Sequence, residues 1–278
     1  MRVIFMGTPD FSVGTLEEII KAGHEVVLVV SQPDKAVGRS KALKYTPVKE
    51  CALAHGIEVY QPERVRDSAC IEYLKSFHAD IMIVVAFGQI IPKAVLDMPK
   101  YGCVNVHASL LPKYRGAAPI QWAVINGDPY TGVSTQRMDE GVDTGDIILE
   151  EKVEIRPDET GGSLFDRLAE VGAKLCVKTI EAIENGTAVY TPQDNSKAAD
   201  MLMDNGAASV RAVATHAVLS GKAYENIEKS KLTEVIFTDS IPQKQPCSKI
   251  KVLPIAPMFA DTIRNIYEHK SISDHFLM

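Results

Sequence analysis

The sequence predicts an α/β protein with a doubly wound sheet, followed by a second, partial α/β segment. The first observation is a set of apolar runs, RVIFM from Arg2, EVVLVV from Glu25 and DIMIVVA from Asp80. These runs lack the alternation of half-exposed strands, which is typical of parallel strands covered on both faces. The second observation is that helical patterns alternate with these runs along the chain, as they do in α/β folds.

The remaining elements of this sheet follow in order along the first part of the chain. Helical patterns cover residues 13–22 and 47–55. A longer helix has Thr160 or Ser163 as its cap and ends at the Asn-Gly pair that starts at Asn185. Four further strands are predicted: IEVY from Ile57, CVNVH ending at His107, GVSTQRM from Gly132 and IILEEKVEI from Ile147.

The same patterns divide the chain into three predicted parts. Residues 1–189 form the first domain, residues 190–196 (YTPQDNS) a linker, and residues 197–278 the second segment. In that segment, KAADMLMDNG predicts a helix with a glycine stop, and MFADTIRNIYEHK predicts a closing amphipathic helix. SVRAVAT, EVIFTD and KIKVLPI are predicted strands between them.

Composition narrows the classes of protein. The 278 residues are 46% hydrophobic and 24% charged, which is ordinary for a globular protein. No apolar run approaches the ~20 residues that span a membrane, and the N-terminus lacks a signal-peptide pattern, so we expect a cytoplasmic protein. The net charge is -6, so a nucleic-acid partner would need a local basic patch.

The cysteines indicate no disulfide framework. None forms a CxxC pair, and we assign none to a metal-ligand spacing with a histidine. We therefore expect reduced thiols and no metal. The five are Cys51, Cys70, Cys103, Cys176 and Cys247.

Candidate chemistry lies where the predicted strands end, because open α/β sheets bind ligands beyond the carboxyl ends of their strands. MGTPDFS, AFGQIIP and NVHASLLP all follow strands. In the third, Asn105 and His107 are two residues apart and point the same way. An amide that stabilises an oxyanion and an imidazole that moves protons together suit acyl transfer.

A carboxylate is expected beside that histidine, and MDEGVDTGD supplies Asp139, Glu140, Asp143 and Asp146. Spacing alone leaves all four open. The same stretch also fits a solvated turn, although it lacks the spacing and final glutamate of an EF-hand. A histidine at a strand end is also often structural. MGTPDFS is not a GxGxxG fingerprint, so dinucleotide binding is not indicated.

Five motifs in the same order identify a family resemblance. FMGTPDFSV, SQPDKAVGRSKALKYTPVK, VVAFGQIIPK, NVHASLLPKYRGAAPIQWAVINGD and MDEGVDTGDI together resemble the methionyl-tRNA formyltransferases. The resemblance covers residues 1 to about 195. It implies a Rossmann-like formyltransferase domain that moves a formyl group from 10-formyltetrahydrofolate to the α-amino group of methionine on initiator tRNA, at the start of translation.

The resemblance also implies roles for individual residues. Asn105, His107 and Asp143 match the catalytic set. The residues implied to bind folate are Ser109, Leu110, Leu111 and Pro112 of the SLLP loop, with Phe87, Gly88 and Ile90. The residues implied to contact the tRNA acceptor end are Lys35, Arg39, Lys41 and Lys44, of which Arg39 is the strongest candidate.

Related formyltransferases leave competing functions open. Glycinamide ribonucleotide and sugar-nucleotide formyltransferases and formyltetrahydrofolate hydrolases share the Asn, His and Asp set. The basic QPDKAVGR loop and GAAPIQ favour the tRNA enzyme, whereas LLPKYRG is similar in the sugar enzymes.

Residues 197–278 resemble a different family, the C-terminal end of ribose-phosphate pyrophosphokinases. The tRNA enzymes are expected to continue into a small tRNA-binding β-barrel, so the chain is an apparent chimera. His216, in THAVLSGKAYENI, is expected to be a leftover strand-end residue, because the family's phosphoribosyl-binding loop and ATP-binding half are absent. We expect the chain to be a monomer, with self-association through this tail as the alternative. A non-productive chimera that only binds folate is a second functional alternative.

Overall fold

The computed structural model describes residues 1–37, 42–194, 208–219 and 221–268. The chain forms two compact units, Met1–Gln193 and Asp194–Met278. The predicted α/β class is confirmed, because strands and helices alternate in both units.

Within the described residues, the first unit holds a seven-stranded sheet in the order β5-β2-β1-β6-β7-β8-β9. The strands from β5 to β7 run parallel, whereas β8 is antiparallel to both β7 and β9. The sheet is therefore mixed, with two antiparallel strands at one edge. Its strands are β1 (Arg2–Gly7), β2 (Glu25–Val30), β5 (Val59–Tyr60), β6 (Ile81–Val85), β7 (Cys103–His107), β8 (Tyr130–Arg137) and β9 (Ile147–Glu154). Two further strands, β3 (Lys35–Val37) and β4 (Ala42–Lys44), form a separate two-stranded sheet.

Helices connect these strands, and three short ones were not predicted from the sequence. They are α3, α4 and α5, whose eight residues or fewer give little periodicity to detect. The helices of the unit are α1 (Val13–Lys21), α2 (Pro47–Ala54), α3 (Ser68–Lys75), α4 (Lys93–Leu96), α5 (Pro119–Ile125) and α6 (Gly161–Glu184).

The sheet is covered on both faces, which explains its continuous apolar strands. In β1, Val3 and Phe5 belong to one buried cluster, and Ile4 and Met6 belong to a second. Successive side chains of a strand point to opposite faces, so each face of the sheet has its own core. The cluster around Val3 includes residues of α1, α2 and α6, and the other includes residues of α3 and α4.

The long helix α6 begins directly after Thr160, which is one of the two predicted caps. The Thr160 side chain accepts a hydrogen bond from the Ser163 backbone N–H, and Ser163 Oγ accepts one from the Thr160 N–H. This reciprocal pair is a capping box, so Thr160 is the cap and Ser163 supports it. The helix ends at Glu184, directly before Asn185.

The predicted basic loop after β2 is partly an antiparallel hairpin. Strand β3 pairs with β4, with Lys35 opposite Lys44. No strand was predicted in this basic loop, because the apolar pairs Ala-Val and Ala-Leu are too short to indicate one. The segment between the two strands, 38–41, lies outside the described residues.

The second unit contains a three-stranded parallel sheet in the order β10-β11-β12 among its described residues. These strands are β10 (Arg211–Ala214), β11 (Glu234–Thr238) and β12 (Ile250–Leu253), with helices α7 (Ala223–Lys229) and α8 (Ala256–Tyr267). The helix predicted from KAADMLMDNG lies outside the described residues. Within the part of the chain that the structure describes, no helix has both the length and the apolar character needed to cross a bilayer.

Candidate active site

Strand β7 places Asn105 and His107 on the same side at its carboxyl end. Across the strand pairing, Asn105 lies opposite Gln136 of β8. The acidic loop after β8 then brings Asp143 against both residues. The Asn105 Nδ2 donates to Asp143 Oδ1 at 3.1 Å, and His107 Nδ1 lies 3.5 Å from Asp143 Oδ2.

His107 is held from both ring nitrogens. Its Nε2 lies 2.8 Å from the Tyr114 carbonyl oxygen, and its Nδ1 faces the Asp143 carboxylate. The side chain is only 8% exposed. A carbonyl and a carboxylate both accept hydrogen bonds, so only the doubly protonated imidazole carries a hydrogen for each. One acceptor therefore faces each ring nitrogen of His107.

Asp143 accepts two hydrogen bonds in addition to its contacts with Asn105 and His107. Its Oδ2 accepts from the Gly116 backbone N–H at 2.9 Å, and its Oδ1 accepts from Gln136 Nε2 at 2.8 Å. These donors come from the PKYRG loop and from β8. The carboxylate consequently joins three separate segments of chain.

The other three acidic candidates do not reach the histidine. Asp139 binds its own loop, accepting from the Gly141 N–H at 3.0 Å and from Thr144 Oγ1 at 2.6 Å. Glu140 is exposed, and Asp146 does not line the cleft described below. The structure thus brings Asp143 alone of the four against Asn105 and His107.

These residues line a cleft of about 510 Å³. This volume lies within the range of about 300–1,000 Å³ that is usual for small-molecule sites. Aromatic and aliphatic walls surround the polar groups, including Phe11, Phe87, Ile120, Val142 and Phe165. The Phe11 and Phe165 rings meet edge to face, with centroids 5.1 Å apart.

Left-handed backbone is concentrated at this cleft. Ala86, Ala118 and Asp143 line it, with φ values of 46°, 59° and 50°. Tyr114, whose carbonyl contacts His107, has φ of 55°. Non-glycine residues in this region cost on the order of 1–3 kcal/mol each and persist where surrounding contacts fix them. Such strain commonly marks functional sites.

The residues implied to bind folate fall into two groups. Phe87 and Gly88 line the cleft, whereas Ile90 does not and is 85% exposed. The SLLP residues Ser109, Leu110, Leu111 and Pro112 are also not among those lining the cleft.

The SLLP loop packs instead against β8. The Leu111 N–H donates to Ser134 Oγ at 2.9 Å, and Ser134 Oγ lies 2.7 Å from the Ser109 carbonyl. In this structure the loop therefore supports the cleft wall.

The residues implied to contact tRNA are only partly described. Lys35 and Lys44 face each other at the stem of the hairpin and line a separate groove of about 250 Å³. Arg39 and Lys41 lie outside the described residues.

Gln193 is a site residue that the sequence analysis missed. It lies in the predicted linker, yet its Nε2 donates to the carbonyl oxygens of Asp143 and Gly145 at 3.1 and 2.6 Å. Its Oε1 accepts from the Arg115 guanidinium at 2.9 and 2.7 Å. The backbone of Thr191 pairs with Ile147 just before it. Residues 190–193 therefore pack as part of the first unit.

A second missed residue, Gln136, carries a detectable signal. It is a polar side chain inside a strand and is only 1% exposed. Buried amides almost always have hydrogen-bond partners, so its presence in GVSTQRM indicates a polar network nearby. A larger cavity, of about 750 Å³, lies in the second unit, but it contains none of these residues.

An open α/β sheet with an Asn, His and Asp set at a strand end has the groups that acyl transfer needs. Comparison with known proteins specifies it. The family model described as "Formyl transferase" matches residues 1–180. This chain belongs to the formyl transferase family.

The C-terminal segment matches a second model, described as "Phosphoribosyl synthetase-associated domain", over residues 170–277. The predicted resemblance of this segment is supported. The match begins inside α6, whose packing belongs to the first unit, whereas the structural division falls after Gln193.

Curated relatives share only the first part of the chain. Methionyl-tRNA formyltransferase from Agathobacter rectalis is 73% identical over 198 residues, which is 71% of this chain and 64% of the relative. The enzyme of the same name from Lachnospira eligens is 63% identical over 197 residues, covering 71% of this chain and 62% of the relative. The chain thus spans less than two thirds of the length of these relatives.

Solved structures support the fold of the same region. A glycinamide ribonucleotide transformylase from Symbiobacterium toebii superposes with a TM-score of 0.58 at 19% identity, covering 70% of this chain and 94% of that one. An N-formyltransferase from Helicobacter canadensis, solved with folinic acid and dTDP-3-aminofucose, gives 0.52 at 24% identity, covering 69% and 67%.

Proposed function

We propose that this chain transfers a formyl group from 10-formyltetrahydrofolate to the α-amino group of methionine on initiator tRNA. The observation that supports this most is the convergence of Asn105, His107 and Asp143 in one cleft. The 73% identity to a methionyl-tRNA formyltransferase over the same region favours tRNA over other acceptors.

The catalytic set has the groups that formyl transfer requires. Attack of the amine on the formyl carbon converts its carbonyl oxygen to an oxyanion. The Asn105 amide has two hydrogens, of which one binds Asp143, so the second is free to donate to that oxygen. The oxyanion then collapses and the bond to the folate nitrogen breaks. In this proposal His107 Nε2 leaves the Tyr114 carbonyl for the reacting atoms, takes the proton of the attacking amine and gives a proton to the folate nitrogen.

Asp143 acts on His107 in this proposal. Its carboxylate orients the imidazole and stabilises the imidazolium that forms during the proton transfer, and the Tyr114 carbonyl holds the opposite nitrogen before the substrates bind. Gly116 and Gln136 keep the carboxylate in place. Fixed donors of this kind need no rearrangement when charge develops, which is the basis of electrostatic catalysis.

The cleft is a suitable site for the folate donor. Its volume of about 510 Å³ and its Phe11, Phe87 and Phe165 walls suit a flat aromatic ring system. In this proposal the transferred group lies against Asn105 and His107, while the ring system packs on the aromatic side chains.

The hairpin is the proposed contact for the tRNA acceptor end. The protein carries a net charge of -6, so phosphate binding needs a local concentration of cations. Lys35 and Lys44 supply two at the hairpin stem, and Arg39 and Lys41 lie between them in the sequence.

The test is formylation of methionyl initiator tRNA by the purified chain with 10-formyltetrahydrofolate as donor. We expect transfer that disappears in His107→Ala. His216→Ala is the matched control, because His216 is exposed in the second unit, where its Nδ1 lies 2.8 Å from Ser240 Oγ. Equal activity in wild type and His107→Ala would contradict the proposal.

A parallel measurement separates the competing functions. Binding of the folate by titration calorimetry without any formylation would indicate the non-productive chimera. A double Arg39→Ala/Lys41→Ala variant should lose tRNA formylation and keep folate binding. If formylation of an amino-sugar nucleotide persists in that variant and exceeds tRNA formylation in the wild type, the sugar-nucleotide function is favoured.

A further inference from the structure

Three side chains with metal-ligating atoms converge on the surface formed by α1 and α2. Glu17 lies on α1, Cys51 lies on α2, and His55 is the residue that caps the end of α2. Their ligand atoms all lie within 4.8 Å of one another. Neither helix contributes a residue to the cleft of the formyl-transfer site. We propose that Glu17, Cys51 and His55 bind a divalent cation of the zinc type.

The spacing on α2 is suited to this role. Cys51 and His55 are four residues apart, so their side chains lie on the same face of the helix, one turn apart. The sequence alone led us to assign no cysteine to a metal-ligand spacing with a histidine, so the pair Cys51 and His55 was not recognised as a candidate. The third ligand comes from a different helix, which no sequence spacing reveals.

The present contacts are close to those of a tetrahedral site. The Glu17 carboxylate lies 3.2 Å from Cys51 Sγ and 3.0 Å from His55 Nε2. With zinc bonds of about 2.0–2.3 Å, tetrahedral neighbours are separated by about 3.3–3.6 Å. The two distances from Glu17 need to open by only a few tenths of an ångström to admit the cation, and Cys51 Sγ and the His55 ring nitrogen lie within 4.8 Å of each other.

The environment of the three groups fits a cation with one open position. Cys51 is 8% exposed, whereas the Glu17 and His55 side chains are 49% and 35% exposed. The cluster thus opens to solvent, which provides an entry path and a water ligand. The thiol, imidazole and carboxylate set favours zinc or cobalt over magnesium or calcium, which prefer oxygen ligands alone.

The charge of the cluster also changes on binding. Burial and the hydrogen bond to Glu17 raise the pKa of Cys51 to about 12, so the thiol is protonated near neutral pH without a metal. A bound cation would displace that proton, as metals do when they bind cysteine. The cation would then replace the Cys51–Glu17 and His55–Glu17 contacts and join α1 to α2.

The test uses the full, untagged chain, stripped of metal with chelator and kept reduced, and titrated with Co²⁺ alone. We expect one saturable site with a thiolate-to-cobalt charge-transfer band in the near ultraviolet, reversed by one equivalent of Zn²⁺. Cys51→Ser should abolish the band. His55→Ala should weaken Co²⁺ binding at least about 10-fold, the loss usual for disrupting a metal site.

The matched control is Cys247→Ser, because Cys247 lies 3.0 Å from Glu228. It is a cysteine–glutamate pair without a clustered histidine among the described residues, so its loss should leave the band unchanged. His55 is exposed, so His55→Ala remains informative if Cys51→Ser fails to fold. Absence of a saturable band, or an unchanged Co²⁺ affinity in His55→Ala, would overturn the proposal.

Discussion

Asn105 is the residue at which the proposed chemistry is most directly tested. It has one amide hydrogen committed to Asp143 and one available to the reacting oxygen. We expect Asn105→Ala to lower kcat about 10²–10³-fold, which is the usual cost of one oxyanion donor. Single-turnover formylation with saturating folate measures this. The control is Asn226→Ala, an exposed asparagine of the second unit, which should keep full activity.

The sequence identified Asn105 and His107 because both follow a strongly apolar strand at a spacing of two. It left Asp143 among four acidic residues, and the family resemblance made that choice. Tyr114 was out of reach, since its contact with His107 uses a backbone carbonyl that any residue type supplies. Its left-handed φ of 55° is likewise not encoded by a glycine or asparagine.

At the scale of elements, residues 190–193 have a larger role than a linker. Gln193 connects the Asp143 loop to Arg115 by hydrogen bonds. Gln193→Ala removes these hydrogen bonds, so both the loop and the Arg115 side chain should become less fixed. We expect kcat to fall about 10–100-fold, as small misplacements of catalytic groups do, with the KM for folate nearly unchanged.

Gln193→Glu distinguishes positioning from simple packing. The carboxylate keeps the bond from Arg115 but loses the donor to the carbonyl oxygens of Asp143 and Gly145. It should therefore lose kcat nearly as severely as Gln193→Ala, because a carboxylate oxygen without a hydrogen would face both carbonyl oxygens. If Gln193→Glu keeps full kcat, the contact with Arg115 alone matters.

The acidic loop also depends on a glycine that permits close backbone approach. A Cβ on Gly145 would lie 1.8 Å from the Arg137 carbonyl oxygen, so Gly145→Ala forces the loop to move. We expect about 1–3 kcal/mol of destabilisation, typical of overpacking. Urea unfolding followed by the fluorescence of Trp122, the one tryptophan, reports on the first unit.

Gly161→Ala is the matched control for this substitution. Nothing lies within 4 Å of a Cβ at that position, and its φ is not in the left-handed region. The change should leave the unfolding midpoint nearly the same. Equal midpoints for Gly145→Ala and the wild type would contradict the need for close approach at the loop.

The elements themselves were predictable to different degrees. Strands such as β1 and β6 are apolar throughout and were recognised with nearly their observed bounds. The antiparallel direction of β8 was not predicted, because its sequence differs little from that of a parallel strand. The direction depends on the connection from β7. The β3–β4 hairpin was missed because three residues a side give no periodicity.

At the scale of the whole molecule, the second unit determines how the chain behaves in solution. Its helix α8 has no buried residue, and Phe259, Ile263 and Ile266 are 53%, 65% and 58% exposed. Exposed apolar side chains grouped on one element favour association. We therefore expect the sedimentation coefficient of the chain to rise with concentration, measured by analytical ultracentrifugation from low to high micromolar protein.

The double variant Phe259→Glu/Ile263→Lys should keep the chain monomeric over the same range, because it places opposite charges on that helix one turn apart. Trp122→Glu is the matched control, since Trp122 is 50% exposed but lies in the first unit. It should associate as the wild type does. A wild type that stays monomeric throughout would show that α8 is not an association surface.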